Sequence, residues 1–193
     1  MKKHIKKVGF LVLAVIFVLV GKYVYDMNIN HNFETITEGK VYKSGVIPPN
    51  EIESYVKKYH IKSIVDLRFP GTGDDINNPE IPSELTAEKD AVAKIKGVTY
   101  FNNGSDQVPA QKNLDVFFKI MDNPNNYPVL IHCYHGVGRA EMYSALFRIE
   151  YEGWDKDKAR TSTRFLTKWS SFDLGKEKGD FLHNYISRKD SVK

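Results

Sequence analysis

Apolar positions in this chain follow three patterns, and each predicts a different kind of element. The first is an unbroken run: behind Lys2, Lys3, Lys6 and Lys7, residues 8–21 carry no charge, and Lys22-Tyr23-Val24-Tyr25 follow. A bilayer-spanning helix needs about 20 residues, but Lys22 can snorkel and the tyrosines suit an interface, which extends the span to about Tyr25. The lysine-rich flank places the N-terminus in the cytoplasm and the rest of the chain outside the cell (inner) membrane. No small-x-small cleavage site follows. Residues 1–27 therefore read as an uncleaved single-pass anchor, contacting the membrane through residues 8–25, with 28–193 as one further domain. The alternative is a cleaved signal peptide that releases a periplasmic or secreted domain.

The second pattern is the short, β-branched or aromatic run bounded by turn residues. Residues 40–44, 61–68, 98–102 and 129–132 read as strands, with a further edge strand near residues 33–36 inside the polar stretch 28–39. The third is the helical repeat. Ile52, Tyr55, Val56 and Tyr59 share one face of a helix capped by Asn50, and Leu114, Phe117, Phe118 and Met121 recur at i, i+3, i+4 and i+7 from about Ala110. Residues 69–82, with their prolines, glycines and Asp74-Asp75, form a loop; Ser83 or Thr86 caps a helix that runs to Lys96 and stops at Gly97. Residues 123–128 end the next helix and feed the last strand. A helix over 139–152 stops at Gly153, and two more follow over about 155–169 and 179–188. In these, Trp154, Phe165, Trp169 and Phe181 are expected in the core or between helices. Strands alternating with helices predict an α/β domain: a single central, mostly parallel sheet flanked by helices.

Charge removes one class of function. The chain of 193 residues has 28 Lys and Arg against 24 Asp and Glu, but residues 1–27 hold five of the bases and one of the acids, leaving 23 of each. A neutral domain does not support a basic nucleic-acid groove. The single cysteine, Cys133, excludes an intrachain disulfide and leaves a thiol free for chemistry.

That cysteine stands where chemistry is expected. In Val129-Leu130-Ile131-His132-Cys133-Tyr134-His135-Gly136-Val137-Gly138-Arg139 an apolar strand runs through a glycine-bearing loop into a helix. Such a junction directs several backbone N–H groups and the positive end of a helix dipole into one volume, which is an anion site. The same field favours the thiolate of Cys133, a nucleophile suited to phosphorus. The guanidinium of Arg139 can grip two equatorial phosphate oxygens at once. Gly136 and Gly138 let the backbone turn its amides inward. The plainer alternative is a buried apolar cysteine at the end of a central strand.

His132-Cys133, five further residues and Arg139 resemble the signature loop of the cysteine-dependent protein-tyrosine and dual-specificity phosphatases. Residues 41–45 with Pro48, residues 64–68 and residues 145–154 resemble other conserved-type segments of the small bacterial and the plant- or fungal-type members, so the likeness extends over about residues 40–160. It implies a phosphomonoester hydrolase that works through a phosphocysteine intermediate, with no metal and no cofactor. Phosphate is bound by Arg139 and the loop residues Tyr134, His135, Gly136, Val137 and Gly138. The ring of His132 organises the loop by hydrogen bonding, although a plain structural histidine is a reading of equal weight. The general acid is expected on a loop that reaches over the phosphate. Asp106, after a strand and ahead of a helix, occupies the place where the family keeps its aspartate; a turn or capping role, or Asp74 or Asp75 as the acid, are the alternatives. Arg68 reads as an ion-pair partner of Asp66 or Asp75.

Tyr134 and His135 rim the pocket, and neither is lysine. The extra phosphates of phosphoinositides call for extra cations, so phosphotyrosine in protein is the leading substrate and a phosphorylated lipid or small molecule the alternative. Protonation of His135 would weaken that preference. One position departs from the family. Ser or Thr usually follows the arginine and hydrogen-bonds the departing sulfur, but here Ala140 does, then Glu141. Losing such a donor costs ~10²-fold or more by analogy with oxyanion donors, which predicts slow breakdown of the phosphoenzyme. A phosphate-binding module without turnover, and a rhodanese-like sulfurtransferase, are the competing readings.

Overall fold

The structure is a computed structural model that describes residues 2–69 and 81–191, and residues 2–8 by backbone alone. A long helix α1 (Lys2–Asn28) precedes the domain. Within it Gly9–Asn28 is long and apolar enough to cross a membrane, and none of this stretch is buried against the protein. That exposure argues against a core helix and is compatible with a membrane anchor or a signal sequence.

The domain follows as β1 (Glu34–Thr37), β2 (Val41–Ser44), α2 (Ile52–Tyr59), β3 (Ser63–Asp66), α3 (Pro82–Ala93), β4 (Thr99–Asn102), α4 (Gln111–Met121), a short 3-10 turn, β5 (Val129–His132), α5 (Arg139–Glu152), α6 (Lys156–Thr161) and α7 (Glu177–Asn184). One five-stranded sheet runs in the order β1-β2-β5-β3-β4. Among the described residues only β1 is antiparallel to its neighbour; β2, β5, β3 and β4 are parallel. The mostly parallel α/β sheet expected from the alternation is the fold observed.

Parallel strands buried on both faces divide their side chains between two cores. Val41, Val65, Val129 and Ile131 pack with Phe117, Met142, Leu146, Phe172 and Leu182 of the α4–α7 side. Tyr42, Ile64 and Leu130 pack with Ile52, Val56 and Val92 of the α2–α3 side. The loop 133–138 leaves the C-terminal edge of the central strand β5, where Ser44 of β2 and Asp66 of β3 both stand opposite His132. Ligands of open parallel sheets bind at this edge.

Three local expectations are corrected. Asn50 does not cap α2; the helix is entered at Glu51 without a side-chain cap, through a turn closed by Glu51 N–H on the Pro48 carbonyl (2.8 Å). Neither Ser83 nor Thr86 caps α3, which begins with Pro82 in its first turn, while the Thr86 hydroxyl donates to the Pro82 carbonyl. Phe165 and Trp169 are not core residues: they are 109% and 79% exposed, because α6 stops at Thr161 and Phe172 fills the apolar slot instead. The Phe172 side chain is fully buried, and its carbonyl accepts a hydrogen bond from Arg160 (3.0 Å).

Candidate active site

The loop 133–138 is shaped by what holds its carbonyls. The Tyr134 carbonyl accepts from Val46 N–H (3.0 Å), that of His135 from Asn32 Nδ2 (3.1 Å), and that of Gly136 from Lys43 Nζ (3.3 Å). The Val137 carbonyl accepts from Arg164. A trans peptide points its C=O and the following N–H in opposite directions. Four consecutive carbonyls tied to outside donors therefore turn the amides of residues 135–138 the other way, into the hollow of the loop. Gly136 makes this possible: its φ is +73°, and a Cβ there would lie 2.5 Å from Gly45 N, so a side chain would force β2 and the loop apart.

Cys133 sits where β5 enters the loop, 3% exposed. At the other end Arg139 opens α5 and is also buried; its Nη1 donates to the carbonyls of Leu67 (2.9 Å) and Ser105 (3.3 Å). Those bonds fix the guanidinium plane between β3 and the β4–α4 segment. The same segment carries Asp106, which is exposed. Its neighbours hold it against the loop: the Ser105 carbonyl takes Arg139, and Gln107 Oε1 lies 2.7 Å from where a Cβ on Gly138 would stand. Asn103 and Asn113 pin the segment to α4 through Asn113 Nδ2 to Gly104 O (2.8 Å) and Asn103 Nδ2 to Asn113 O (3.0 Å). Asp106 does not cap α4, whose N-terminal boundary is Ala110 with no side-chain cap. Asp74 and Asp75 lie outside the described residues. Tyr134 and His135 are half-buried at the rim, their rings edge to face with centroids 4.6 Å apart.

Behind the loop lies a charge network that sequence reasoning only partly reached. The ring of His132 is directed away from the loop, with Nε2 2.9 Å from Glu88 of α3 and 3.7 Å from Asp66. Arg68 donates to both Asp66 oxygens (3.0 and 2.8 Å) and to Glu88. Asp66, the expected partner of Arg68, thus has company in Glu88. Asp66, Glu88 and His132 converge closely enough to ligate a metal ion, but Arg68 already supplies the positive charge that their carboxylates need. Burial opposes the His132 imidazolium, yet the charges of Glu88 and Asp66 outweigh it and raise its pKa. Burial likewise opposes the Asp66 carboxylate, and the charges of His132 and Arg68 outweigh it and lower its pKa.

Glu141, which had no evident role beside an anion site, is explained by Lys43. The ammonium of this fully buried lysine lies 3.0 Å from Glu141 and 3.2 Å from Glu34 while it holds the Gly136 carbonyl. Burial still raises the Glu141 pKa, against the pull of Lys43. Two further cations flank the loop. Arg164 grips Val137, and Lys178 Nζ lies 3.2 Å from the Cβ position of Gly138. Burial and the charge of Arg164 push the Lys178 pKa down to about 8, opposed by the Cys133 sulfur. Neither residue is near the loop in sequence, and no motif marks them.

The family comparison agrees with this geometry. Residues 22–177 match the family described as DSP-PTPase phosphatase fused to NAD+ kinase. The dual specificity protein phosphatase TpbA of Pseudomonas aeruginosa strain UCBPP-PA14 is 36% identical over 55 residues, which are 28% of this chain and only 25% of that protein. Among solved structures, the core catalytic domain of the PP-IP phosphatase SIW14 from S. cerevisiae aligns with a TM-score of 0.60 at 20% identity, over 84% of this chain and 89% of the other. That of P. aeruginosa TpbA aligns with a TM-score of 0.55 at 16% identity, over 81% and 86%. These structural likenesses concern the fold. The family match covers most of the chain, including the loop between the buried cysteine and arginine, and by it this chain belongs to the DSP-PTPase phosphatase family.

Proposed function

We propose that this chain is a cysteine-dependent phosphomonoester hydrolase of the protein-tyrosine or dual-specificity type, with residues 28–193 as its catalytic domain. The observation that carries the reading is the set of four loop carbonyls tied outward, which leaves the amides of residues 135–138 facing one volume between Cys133 and Arg139. A phosphate there is bound by backbone N–H groups of His135 to Gly138 and by the Arg139 fork. Cys133 attacks phosphorus as a thiolate, the S–P bond forms as the ester O–P bond breaks, and Asp106 gives its proton to the departing oxygen. The Asp106 carboxylate then takes a proton from water, whose oxygen attacks the phosphocysteine. Inorganic phosphate leaves, and the sulfur departs as thiolate. His132 acts at one remove, holding the end of β5 to α3 through Glu88.

The second step is the slow one. Ala140 offers the departing sulfur no hydroxyl, and the Ser144 hydroxyl one turn on is turned to the Ala140 carbonyl (2.7 Å). An aryl phosphate is therefore expected to release a burst of phenol stoichiometric with enzyme, followed by slow turnover. Ala140→Ser should raise the steady rate ~10²-fold without enlarging the burst, on the scale of one oxyanion donor. A wild-type trace without a burst would instead support a binding module, and an unchanged steady rate in the variant would remove the explanation.

The substrate class rests on the rim. Without lysine at 134 or 135 the loop suits a single phosphate, as on phosphotyrosine in protein. A second reading, an inositol phosphate or other polyphosphorylated substrate, is favoured by Arg164 and Lys178, which bring cations from outside the loop. Lys178 has a pH signature. Its ammonium is lost as pH rises through about 8, so KM for an aryl phosphate should climb above that pH. Lys178→Met should have a raised KM throughout and lack the climb. A climb that persists in the variant would assign it to another group.

The helix α1 is read as a single-pass anchor, with the lysines ahead of it in the cytoplasm and the catalytic domain on the extracytoplasmic side.

A further inference from the structure

The segment that directly follows α1 is bound to the phosphate loop and to the strand end beside it. Three residues beyond the end of α1, the His31 carbonyl accepts from Gly45 N–H (2.7 Å), and Asn32 donates to the loop carbonyl of His135 (3.1 Å). Residues 28 and 32 can be separated by no more than about 14 Å of extended chain. The loop therefore lies within a short reach of the point where α1 would leave a bilayer. The topology requires the same, because β1 runs antiparallel to β2 and so begins at the sheet edge that carries the loop.

On the loop's other flank, Arg164 holds Val137 and Lys178 approaches Gly138. The chain between them displays Phe165, Leu166, Trp169 and Leu174, which are 109%, 60%, 79% and 51% exposed. Val137, whose carbonyl Arg164 holds, is itself exposed. A concentration of large apolar side chains in one exposed segment marks an interaction surface. This one is built: Trp169 has a φ of +65°, a strained value for a bulky residue, and its N–H is held by Asp173 (2.8 Å). The same stretch carries Arg164, Lys168, Lys176 and Lys178 against Asp173 and Glu177; Lys168 Nζ lies 5.0 Å from the Trp169 ring centroid, and Asp173 also accepts from Leu174 N–H (3.0 Å). Tryptophan and other apolar side chains ringed by lysine and arginine suit the headgroup level of an anionic bilayer.

We infer that the segment 165–176 is a second membrane contact, which docks on an anionic lipid surface and sets the mouth of the phosphate loop against the bilayer that α1 enters. The inference rests on reading α1 as an anchor. Docking places both flanks of the loop at the membrane, so the enzyme would meet phosphates presented there ahead of those free in solution.

The chain has two tryptophans, and Trp154 is half-buried beneath Arg148 and Lys158; Trp154→Phe therefore leaves Trp169 as the sole reporter. The test places this full-length variant in vesicles containing phosphatidylserine, recovers it by flotation, and compares lipids brominated just below the headgroup with unbrominated ones. Docking predicts a blue-shifted Trp169 emission that brominated lipid quenches. It also predicts that Lys168→Glu with Lys176→Glu abolishes the quenching and leaves hydrolysis of a soluble aryl phosphate unchanged. A chain that floats with the vesicles but shows unquenched emission overturns the docking and spares the anchor. A chain that does not float overturns both. Emission that follows protein density rather than anionic lipid would show a second copy of the chain on the patch, and would also overturn the inference.

Discussion

Arg139→Lys is expected to lower kcat/KM for an aryl phosphate by about 10³-fold, with most of the loss in kcat, because in the proposed reaction the guanidinium has two tasks that one ammonium cannot share. Its Nη1 is committed to the Leu67 and Ser105 carbonyls, which fixes the plane of the fork. The same rigid plane presents paired donors to phosphate. Lysine has no plane to fix, and a shorter reach. An ammonium that satisfies the two carbonyls leaves the equatorial oxygens to the amides alone, and one that turns to phosphate deprives the Ser105 carbonyl of its arginine donor and leaves the Leu67 carbonyl with the Ser105 N–H alone (3.1 Å). Interactions that tighten as charge shifts toward the equatorial oxygens act on the transition state more than on bound substrate, hence the weight on kcat. Removing a single oxyanion donor elsewhere costs about 10²–10³-fold. Steady-state kinetics beside a thermal melt checks this: a loss below about tenfold in a stably folded variant would mean that the arginine is structural.

Glu88→Ala is expected to cost about 3–5 kcal/mol of stability, the range for removing one partner from a buried ionic network. Glu88 is 3% exposed and faces both His132 and Arg68. Its loss leaves two buried cations to share Asp66. The dependence on pH has a definite sign. The His132 pKa is raised in the folded protein above its ordinary 6.5, so its contribution is complete below that value and is lost as pH rises through the folded one. The gap between wild type and Glu88→Ala should be widest on the acid side of 6.5 and narrow as pH rises. Asp66 contributes in the opposite sense: its pKa is lowered, so that its share holds above 3.8 and fails as pH falls through the folded value. Urea titrations across this range measure both. A loss below about 1 kcal/mol, the scale of an exposed pair, would mean that the network is solvated.

How much of this was legible in the sequence depends on how local each interaction is. The cysteine loop could be read because strand, glycines, cysteine and arginine lie within one short stretch; the donors from Val46, Asn32, Lys43 and Arg164 that shape it could not. The sheet could be read because its strands are short apolar runs separated by helices. Asp106 could be placed near the loop by chain order alone; that Ser105 and Gln107 brace its segment could not. Lys43 and Glu141 look like stray charges, one in a strand otherwise buried and one at an anion site. Only pairing of β2 with β5 shows that each neutralises the other and that Lys43 holds the loop. Arg164 and Lys178 are reached through two short helices whose packing no periodicity predicts. The same region misled the reading of Phe165 and Trp169: aromatic residues four apart fit a helix face, but the helix ends at Thr161 and Phe172 fills the core.

The proposed reaction is covalent and can be tested at a single atom. The full chain, mixed with an aryl phosphate and quenched in acid within the burst, is digested and its peptides are weighed. One phosphoryl group is expected on the peptide that contains Cys133, lost on treatment that cleaves S–P bonds and absent in Cys133→Ser. Turnover of substrate with no phosphorylated Cys133 at any quench time, or turnover that survives in Cys133→Ser, would contradict it.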